Sequence, residues 1–181
     1  MSNGNFTLNF IIKSPIDILF FIGNPNPKLT YGMNFNLNYK AFDLSLLFQG
    51  VDGVDRYNDL KKIIDYDTRP FNYTDRVLGA WDGEGSTNTI PRVSFSDNGS
   101  SRVSDIFVED ASYLRLKNVE LGYSLDSDKL AGLGNIRFYV SGQNLLTFTD
   151  YSGLDPESTD LIDFGTYPQS LTVLFGVNAS F

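Results

Sequence analysis

The sequence predicts an all-β fold in which an antiparallel meander of about five strands forms part of a larger transmembrane β-barrel with long extracellular loops. Three observations predict this class. Apolar and polar residues alternate in several segments. These segments are about as long as the 9–11 residues that a tilted strand needs to cross a bilayer. Short and long connections alternate along the chain, as periplasmic turns and extracellular loops do in outer-membrane barrels.

The first predicted hairpin covers residues 31–39 (YGMNFNLNY) and 42–50 (FDLSLLFQG). In residues 31–39 every odd position carries Tyr, Met, Phe or Leu, and every even position carries Gly or Asn. Because successive side chains of a strand point to opposite faces, one face of this strand is apolar and the other is polar. After the tight connection Lys40-Ala41, the even positions of residues 42–50 continue the apolar face.

Three further strands are predicted over residues 113–123, 135–147 and 170–181. The last two alternate cleanly, and their apolar faces carry no charge. If the five strands run down and up in turn, both long connections lie outside the cell and the C-terminus lies in the periplasm. A bacterial outer-membrane barrel is expected to end in that way, with an aromatic residue on its last strand. Phe175 and Phe181 are therefore the candidate residues of a barrel-closing strand.

The strand at residues 113–123 changes phase. Leu114 and Leu116 belong to one alternation, whereas Val119 and Leu121 belong to the other. A β-bulge near Lys117 would bring both sets to one face. Alternatively, the basic residues of this segment point outward near the membrane rim, where long basic side chains can reach water. The sequence leaves both explanations open.

Composition removes several classes of function. The chain contains neither Cys nor His, so disulfides, thiolate or imidazole metal sites and a Ser-His-Asp triad are excluded. The net charge of -8 and the lack of clustered basic residues argue against a nucleic-acid partner. Carboxylates near Asp155 and Asp163 fit no EF-hand spacing. No catalytic residue, metal site or cofactor is predicted, and a carboxylate-dependent glycosidase is the least favoured hypothesis.

Alternation alone also fits a soluble β-sandwich that binds glycan, in which the apolar faces of the strands would form a closed core. This is the main alternative. It differs from the barrel in what covers the apolar faces, which is a second sheet in the sandwich and lipid in the barrel.

Several stretches resemble the C-terminal barrel segment of SusC/RagA-type TonB-dependent outer-membrane transporters. The strongest is ASYLRLKNVELGY at residues 111–123. The others, in the family's order, are IGNPNPKLTYG at 22–32, FDLSLLFQG at 42–50, YVSGQNLLTF at 139–148, YSGLDPE at 151–157 and YPQ at 167–169. The resemblance covers residues 22–181. Residues 1–21 are off this pattern, which suggests a misassigned start.

The resemblance implies a fragment of an active importer of oligosaccharides or peptides in the outer membrane of a Gram-negative, Bacteroidetes-like bacterium. Such transporters have about 22 strands around a plugged lumen, so the plug and the rest of the barrel are expected to be missing here. The implied partners are membrane lipid, a SusD-like surface lipoprotein, TonB, and a glycan or peptide substrate.

Aromatic residues in the predicted extracellular loops are candidates for contact with substrate. They are Tyr57, Tyr73, Trp81 and Tyr151. Aromatic faces stack on sugar rings, and nearby carboxylates and arginines can bind hydroxyl groups. The competing interpretation is that these rings pack the loops together, because loops of this length need a core of their own.

Overall fold

The computed structural model describes residues 11–13, 19–66, 72–87, 89–94, 96, 99–125 and 134–180. The strands in these ranges are β1 (Ile11–Lys13), β2 (Leu19–Phe21), β3 (Leu29–Tyr39), β4 (Phe42–Asp52), β5 (Asp55–Asn58), β6 (Val108–Asp110), β7 (Tyr113–Leu125), β8 (Ile136–Thr149), β9 (Ile162–Asp163) and β10 (Thr172–Ala179). The helical turns are α1 (Asp59–Lys61), a π-helical turn (Lys62–Tyr66) and two 3₁₀ turns (Asp75–Gly79 and Asp105–Phe107).

The chain divides into two compact units, which are described separately. The sheet unit comprises Lys28–Asp52, Ser112–Asp150 and Pro168–Phe181. Its five strands pair antiparallel in the order β10-β8-β7-β4-β3. This order confirms the predicted sequential meander, with the first and last long strands at the two edges.

One face of this sheet is apolar, and its large side chains are exposed. The pairing register places Phe35 opposite Leu46 and Phe175 opposite Val140. The exposed apolar residues on this face are Met33, Phe35, Leu37, Tyr39, Phe42, Leu121, Tyr123, Phe138, Leu146, Phe148, Val173, Phe175 and Val177. In the described part of the sheet unit, no second layer covers them. The sandwich alternative is therefore not favoured, because a sandwich buries this face.

The phase change in β7 is a β-bulge at Lys117. The pairing between β4 and β7 passes from Leu47 opposite Asn118 to Phe48 opposite Leu116, so Lys117 is the extra residue in β7. The extra residue brings Leu116 and Val119 to the same face. Of the two explanations that the sequence left open, the structure has the bulge.

The described connections of the sheet agree with the predicted pattern. Lys40 and Ala41 form a two-residue turn, in which Lys40 adopts a left-handed conformation with φ 56°. The predicted short connection at residues 126–134 lies outside the described residues up to position 133.

The loop unit comprises the described residues of Met1–Pro27, Gly53–Ala111 and Tyr151–Tyr167. Strand β5 pairs antiparallel with β6 and parallel with β9, and β1 pairs antiparallel with β2. Most of the off-pattern segment 1–21 lies outside the described residues, so its boundary stays a prediction. Across the described ranges, no helix is long and apolar enough to cross a membrane.

Candidate functional site

The loop unit has an aromatic core. Phe107 is fully buried between Tyr57 and Tyr66, with ring centroids 5.8 Å and 5.0 Å away in edge-to-face geometry. Such pairs stabilise beyond the apolar area that they bury. Tyr57, a candidate for substrate contact, is thus part of a core, as the packing interpretation expects. Burial is the main cause that raises the pKa values of both tyrosines above their ordinary range, so these phenols stay protonated at neutral pH.

Glu109 joins two segments of the loop unit. One carboxylate oxygen accepts a bond from Lys61 Nζ at 2.6 Å, and the other accepts from Ser152 backbone N at 3.0 Å and from Asn58 Nδ2 at 3.2 Å. Burial alone would raise the pKa of Glu109, but the bonds from Lys61 and Ser152 outweigh it and lower that pKa. The carboxylate therefore holds the 151–167 segment against the long loop.

A second charged contact lies at Asp65, whose side chain is 1% exposed. Arg76 Nε donates to Asp65 at 2.7 Å, and the same guanidinium donates through Nη1 to the carbonyl of Ser152 at 3.2 Å. The hydroxyl of Thr74 also donates to Asp65. A buried carboxylate is costly without such partners. Arg76 and Asp65 therefore hold the 151–167 segment, through Ser152, against the long loop.

Tyr151 packs inside the loop unit. Its ring is 5% exposed, and its hydroxyl donates to Asp163 at 2.7 Å. Asp163 also accepts from the backbone N–H groups of Gly165 and Thr166. Burial would raise the pKa of Asp163, but these hydrogen bonds outweigh it and lower that pKa. Burial and the bond to Asp163 raise the pKa of Tyr151 far above its ordinary value.

Tyr73 and Trp81 are placed nearer to solvent. Tyr73 is half-buried, and Trp81 is 38% exposed. Trp81 lines a cavity of about 680 Å³, called the loop cavity here, and it is the only one of the four aromatic candidates that does so. The loop cavity is lined by Trp81, Thr87, Thr89, Ile90, Pro91, Arg92, Gly99, Ser100, Arg102, Ser104 and Ile106.

The walls of the loop cavity are tied by backbone hydrogen bonds. Trp81 N–H donates to the carbonyl of Ile90 at 3.0 Å, and Arg102 N–H donates to the carbonyl of Gly99 at 3.3 Å. The hydroxyl of Tyr66, which belongs to the aromatic core, donates to the carbonyl of Thr89 at 3.1 Å. The cavity wall is therefore connected to the core through Tyr66.

The polar face of the sheet carries a charge cluster. Arg137 on β8 donates to Asp43 on β4 at 3.0 Å and to Glu120 on β7 at 2.7 Å. On the same face, farther from the Lys40-Ala41 turn, Arg115 Nε donates to the hydroxyl of Thr147 at 2.9 Å. These charged residues thus lie on the face opposite Phe35 and Phe175.

Of the two candidates for the barrel-closing strand, Phe175 is the more informative. It lies in β10 on the apolar face and is 83% exposed, whereas Phe181 lies outside the described residues. The described ranges contain no group of three or more acidic side chains that could hold a metal ion.

Sequence reasoning missed Glu109, Asp65 and Arg76 as organising residues of the loops. Their partners lie between 9 and 76 positions away in the chain. No short motif encodes such pairs. The one available signal is that charged residues are interspersed with aromatic residues throughout the long loop.

The known proteins that are similar to this chain include TonB-dependent receptors. No family model matches the chain. TonB-dependent receptor P3 of Formosa agariphila is 37% identical over 174 residues, which cover 88% of this chain and 17% of that protein. TonB-dependent receptor SusC of Bacteroides thetaiotaomicron is 29% identical over 191 residues, which cover 99% of this chain and 17% of that protein.

A solved structure of the RagAB peptide importer in its closed-closed state is also similar to this chain. It is 28% identical with a TM-score of 0.77, over 93% of this chain and 19% of that chain. The chain spans less than a fifth of the length of the relatives that it matches.

Proposed function

From the premise that this chain is a homologue of the SusC/RagA-type TonB-dependent receptors, we propose that it supplies barrel wall and extracellular loops to an outer-membrane active importer of oligosaccharides or peptides. The observation that carries the proposal is the exposed apolar face of the five-stranded sheet. Lipid is the partner that stabilises such a face, while the polar face turns toward a lumen or a plug.

The connectivity of the sheet supports one orientation in the membrane. Because adjacent strands are antiparallel, the connections after β4 and after β8 leave the sheet at the same end, opposite the Lys40-Ala41 turn. In outer-membrane barrels the longer connections are extracellular. We therefore place the long loop outside the cell and the turn at Lys40 in the periplasm.

The proposed partners follow from this location. They are membrane lipid along the apolar face, the remaining barrel strands at the edges β3 and β10, a plug facing the polar side, a SusD-like surface lipoprotein outside, and TonB inside. No nucleic acid is proposed. The edge strands support the need for further strands, since an edge presents unpaired backbone groups.

Substrate contact is assigned to the loops. Trp81 supports this best, because it is partly exposed and lines the loop cavity. Tyr73 is half-buried and remains a candidate. The rings of Tyr57 and Tyr151 are buried in the loop unit, so they would touch a substrate only after the loops rearranged. We propose that these two tyrosines chiefly position the loops.

The orientation can be tested by cysteine labelling, since this chain has no cysteine of its own. Glu84→Cys in the long loop and Lys40→Cys in the turn would be made in a cysteine-free receptor. A membrane-impermeant maleimide added to intact cells should label position 84, and it should label position 40 only after the outer membrane is permeabilised. Labelling of position 40 in intact cells would contradict the proposal.

Import can be tested in cells that lack the receptor gene. They should lose uptake of labelled oligosaccharides or of labelled peptides, and uptake by the parent strain should stop when a protonophore dissipates the proton gradient. Unchanged uptake of both classes would refute the proposal.

A further inference from the structure

The described part of the loop cavity lining is positively charged. The chain carries a net charge of -8, yet the charged side chains among the described lining residues are Arg92 and Arg102, and none of these described residues is Asp or Glu. The nearest acidic residue in sequence to Arg102 is Asp105, which accepts a hydrogen bond from the hydroxyl of Ser104 at 3.0 Å rather than lining the cavity itself. Two guanidinium groups beside one cavity favour an anionic ligand, because each can donate two parallel hydrogen bonds to a carboxylate or sulfate.

The other lining groups point to a sugar. Trp81 contributes an aromatic ring that is 38% exposed, and four hydroxyl groups come from Thr87, Thr89, Ser100 and Ser104. An indole ring packs against the apolar face of a pyranose, while hydroxyls and guanidinium groups bind its polar rim. The volume of about 680 Å³ lies within the range of small-molecule sites.

A peptide fits this lining less well. Extended peptides are commonly bound by adding a strand to an exposed sheet edge. The cavity lining belongs to turns and irregular segments, and none of its residues lies in a strand. The wall therefore offers side-chain groups rather than a row of backbone partners.

The site is also held in shape before a ligand arrives. The bonds from Trp81 to Ile90 and from Tyr66 to Thr89 fix the aromatic wall against the core of the loop unit. A preformed site loses less conformational entropy when it binds.

We propose that the loop cavity binds an anionic residue of a glycan, with the sugar ring on Trp81 and its carboxylate or sulfate group on Arg92 and Arg102. This inference rests on the proposed function, since it names the substrate class that the loops take. A carboxylate and a sulfate ester share the chemistry that the two arginines recognise.

Equilibrium titration of the purified protein in detergent micelles tests the inference. The probes are an oligogalacturonate, a sulfated galactan oligosaccharide, a neutral malto-oligosaccharide of equal length and an oligoglutamate peptide of equal charge. At least one anionic glycan should bind roughly tenfold or more tightly than the neutral glycan, because charged hydrogen bonds are added. Comparing the first two probes distinguishes carboxylate from sulfate.

Matched variants locate the site. Arg102→Gln, Arg92→Gln and Trp81→Leu should each weaken binding of the anionic glycan by roughly tenfold. Lys28→Gln removes an exposed cation outside the cavity, and Tyr167→Leu removes an exposed ring outside it, so neither should change the affinity. The folded fraction of each variant is checked on a heat-modifiability gel, and only folded variants are compared.

Three results would overturn the inference: equal affinity for neutral and anionic glycans, unchanged affinity in all three cavity variants, or tightest binding of the glutamate peptide. Its failure is distinguishable from failure of the proposed function. If cells still import neutral glycans or peptides through the receptor, only the anionic specificity is wrong. If the receptor imports neither oligosaccharides nor peptides, the proposed function itself is wrong.

Discussion

At the scale of single residues, neighbouring side chains of one strand face different surroundings. Phe175 pairs with Val140 on the apolar face of the sheet, whereas Leu174 pairs with Ser141 on the polar face. Both are exposed, at 83% and 50%. The two residues are adjacent in β10 and so lie at nearly the same depth. They are therefore a matched pair for asking which face meets lipid.

Phe175→Arg should reduce the folded fraction of the receptor, because an arginine facing lipid near the bilayer midplane costs roughly 2–4 kcal/mol. Leu174→Arg is the control, and it should be tolerated much better, since it faces the polar side that carries Glu120 and Ser141. The measurement is the fraction of heat-modifiable, folded protein after insertion into liposomes. If Leu174→Arg is the more harmful change, the assignment of the faces is wrong.

A second contact between single residues joins the edge strand β10 to its neighbour β8. The ring of Tyr139 lies over Gly176, its cross-strand partner, so closely that a Cβ atom on Gly176 would stand 2.2 Å from the ring. Gly176→Ala should therefore push the ring out of its preferred conformation and cost about 1 kcal/mol. In a Tyr139→Ala background the same change should become neutral or stabilising, because Gly weakens strands.

The four proteins of this double-mutant cycle are compared by denaturant unfolding in detergent or lipid. A cost of Gly176→Ala that is the same in both backgrounds would show that the ring and the glycine do not interact.

At the scale of elements, the bulge in β7 determines on which face of the sheet the side chains of each half of that strand lie. Lys117 is the extra residue of the bulge, and it lets Leu114 and Leu116 share a face with Val119 and Leu121. A one-residue slip moves a whole strand segment to the opposite face. The bulge therefore keeps Arg115 away from the apolar face and on the polar face, where it donates to Thr147.

Deletion of Lys117 should prevent folding of the barrel, because it would turn Arg115 toward lipid and Leu116 toward the polar side. Lys117→Ala keeps the residue count and the bulge, so it should fold nearly as well as the parent. The comparison is made by heat-modifiability after refolding into liposomes. Equal folding of the deletion variant and Lys117→Ala would mean that β7 tolerates either register.

The loop unit should respond to acid through two carboxylates. Hydrogen bonds hold the pKa values of Glu109 and Asp163 below their ordinary values of 4.5 and 3.8. A carboxylate with a lowered folded pKa stabilises fully above its ordinary value and loses this contribution as the pH falls toward the folded pKa. Stability of the loop unit should thus be constant above about pH 4.5 and fall below it.

Fluorescence of Trp81, the single tryptophan of the chain, measured against pH in detergent, reports this change. In Glu109→Gln the ionised partner of Lys61 is lost, so the remaining acid dependence should come from Asp163 and begin lower, below about pH 3.8. An unchanged acid transition in this variant would remove Glu109 from the explanation.

At the scale of the whole molecule, the sheet is incomplete in two ways. Its edge strands β3 and β10 each lack a neighbour on one side in the described structure. Its apolar face exposes large residues such as Phe35, Leu37 and Phe148. Unpaired edges and extended apolar patches both promote association with other chains.

The isolated chain should therefore elute from a size-exclusion column without detergent as aggregates, and it should become smaller and better defined when detergent covers the apolar face. A sharp monomeric peak without detergent, together with cooperative unfolding, would contradict this expectation and revive the sandwich alternative.

Sequence alone determined the five long strands of this protein, apart from the register within β7. Period-2 alternation is a local signal, so residues 31–39 and 170–181 indicated their faces without knowledge of their partners. The five strands, their order and the turn at Lys40 were predicted, and the structure differs only by a few residues at strand ends. Exclusion of cysteine and histidine chemistry was equally direct.

Tertiary structure decided the rest. The bulge at Lys117 is defined by the registers of β7 with its two neighbouring strands. Loop organisation depended on Glu109, Asp65 and Phe107, whose partners are distant in sequence and follow no period. The loop cavity likewise brings Trp81 together with Arg92 and Arg102. Strands can be predicted because apolar and polar residues alternate locally in the sequence. A loop core and its cavity depend on contacts between distant residues, which only the folded chain brings together.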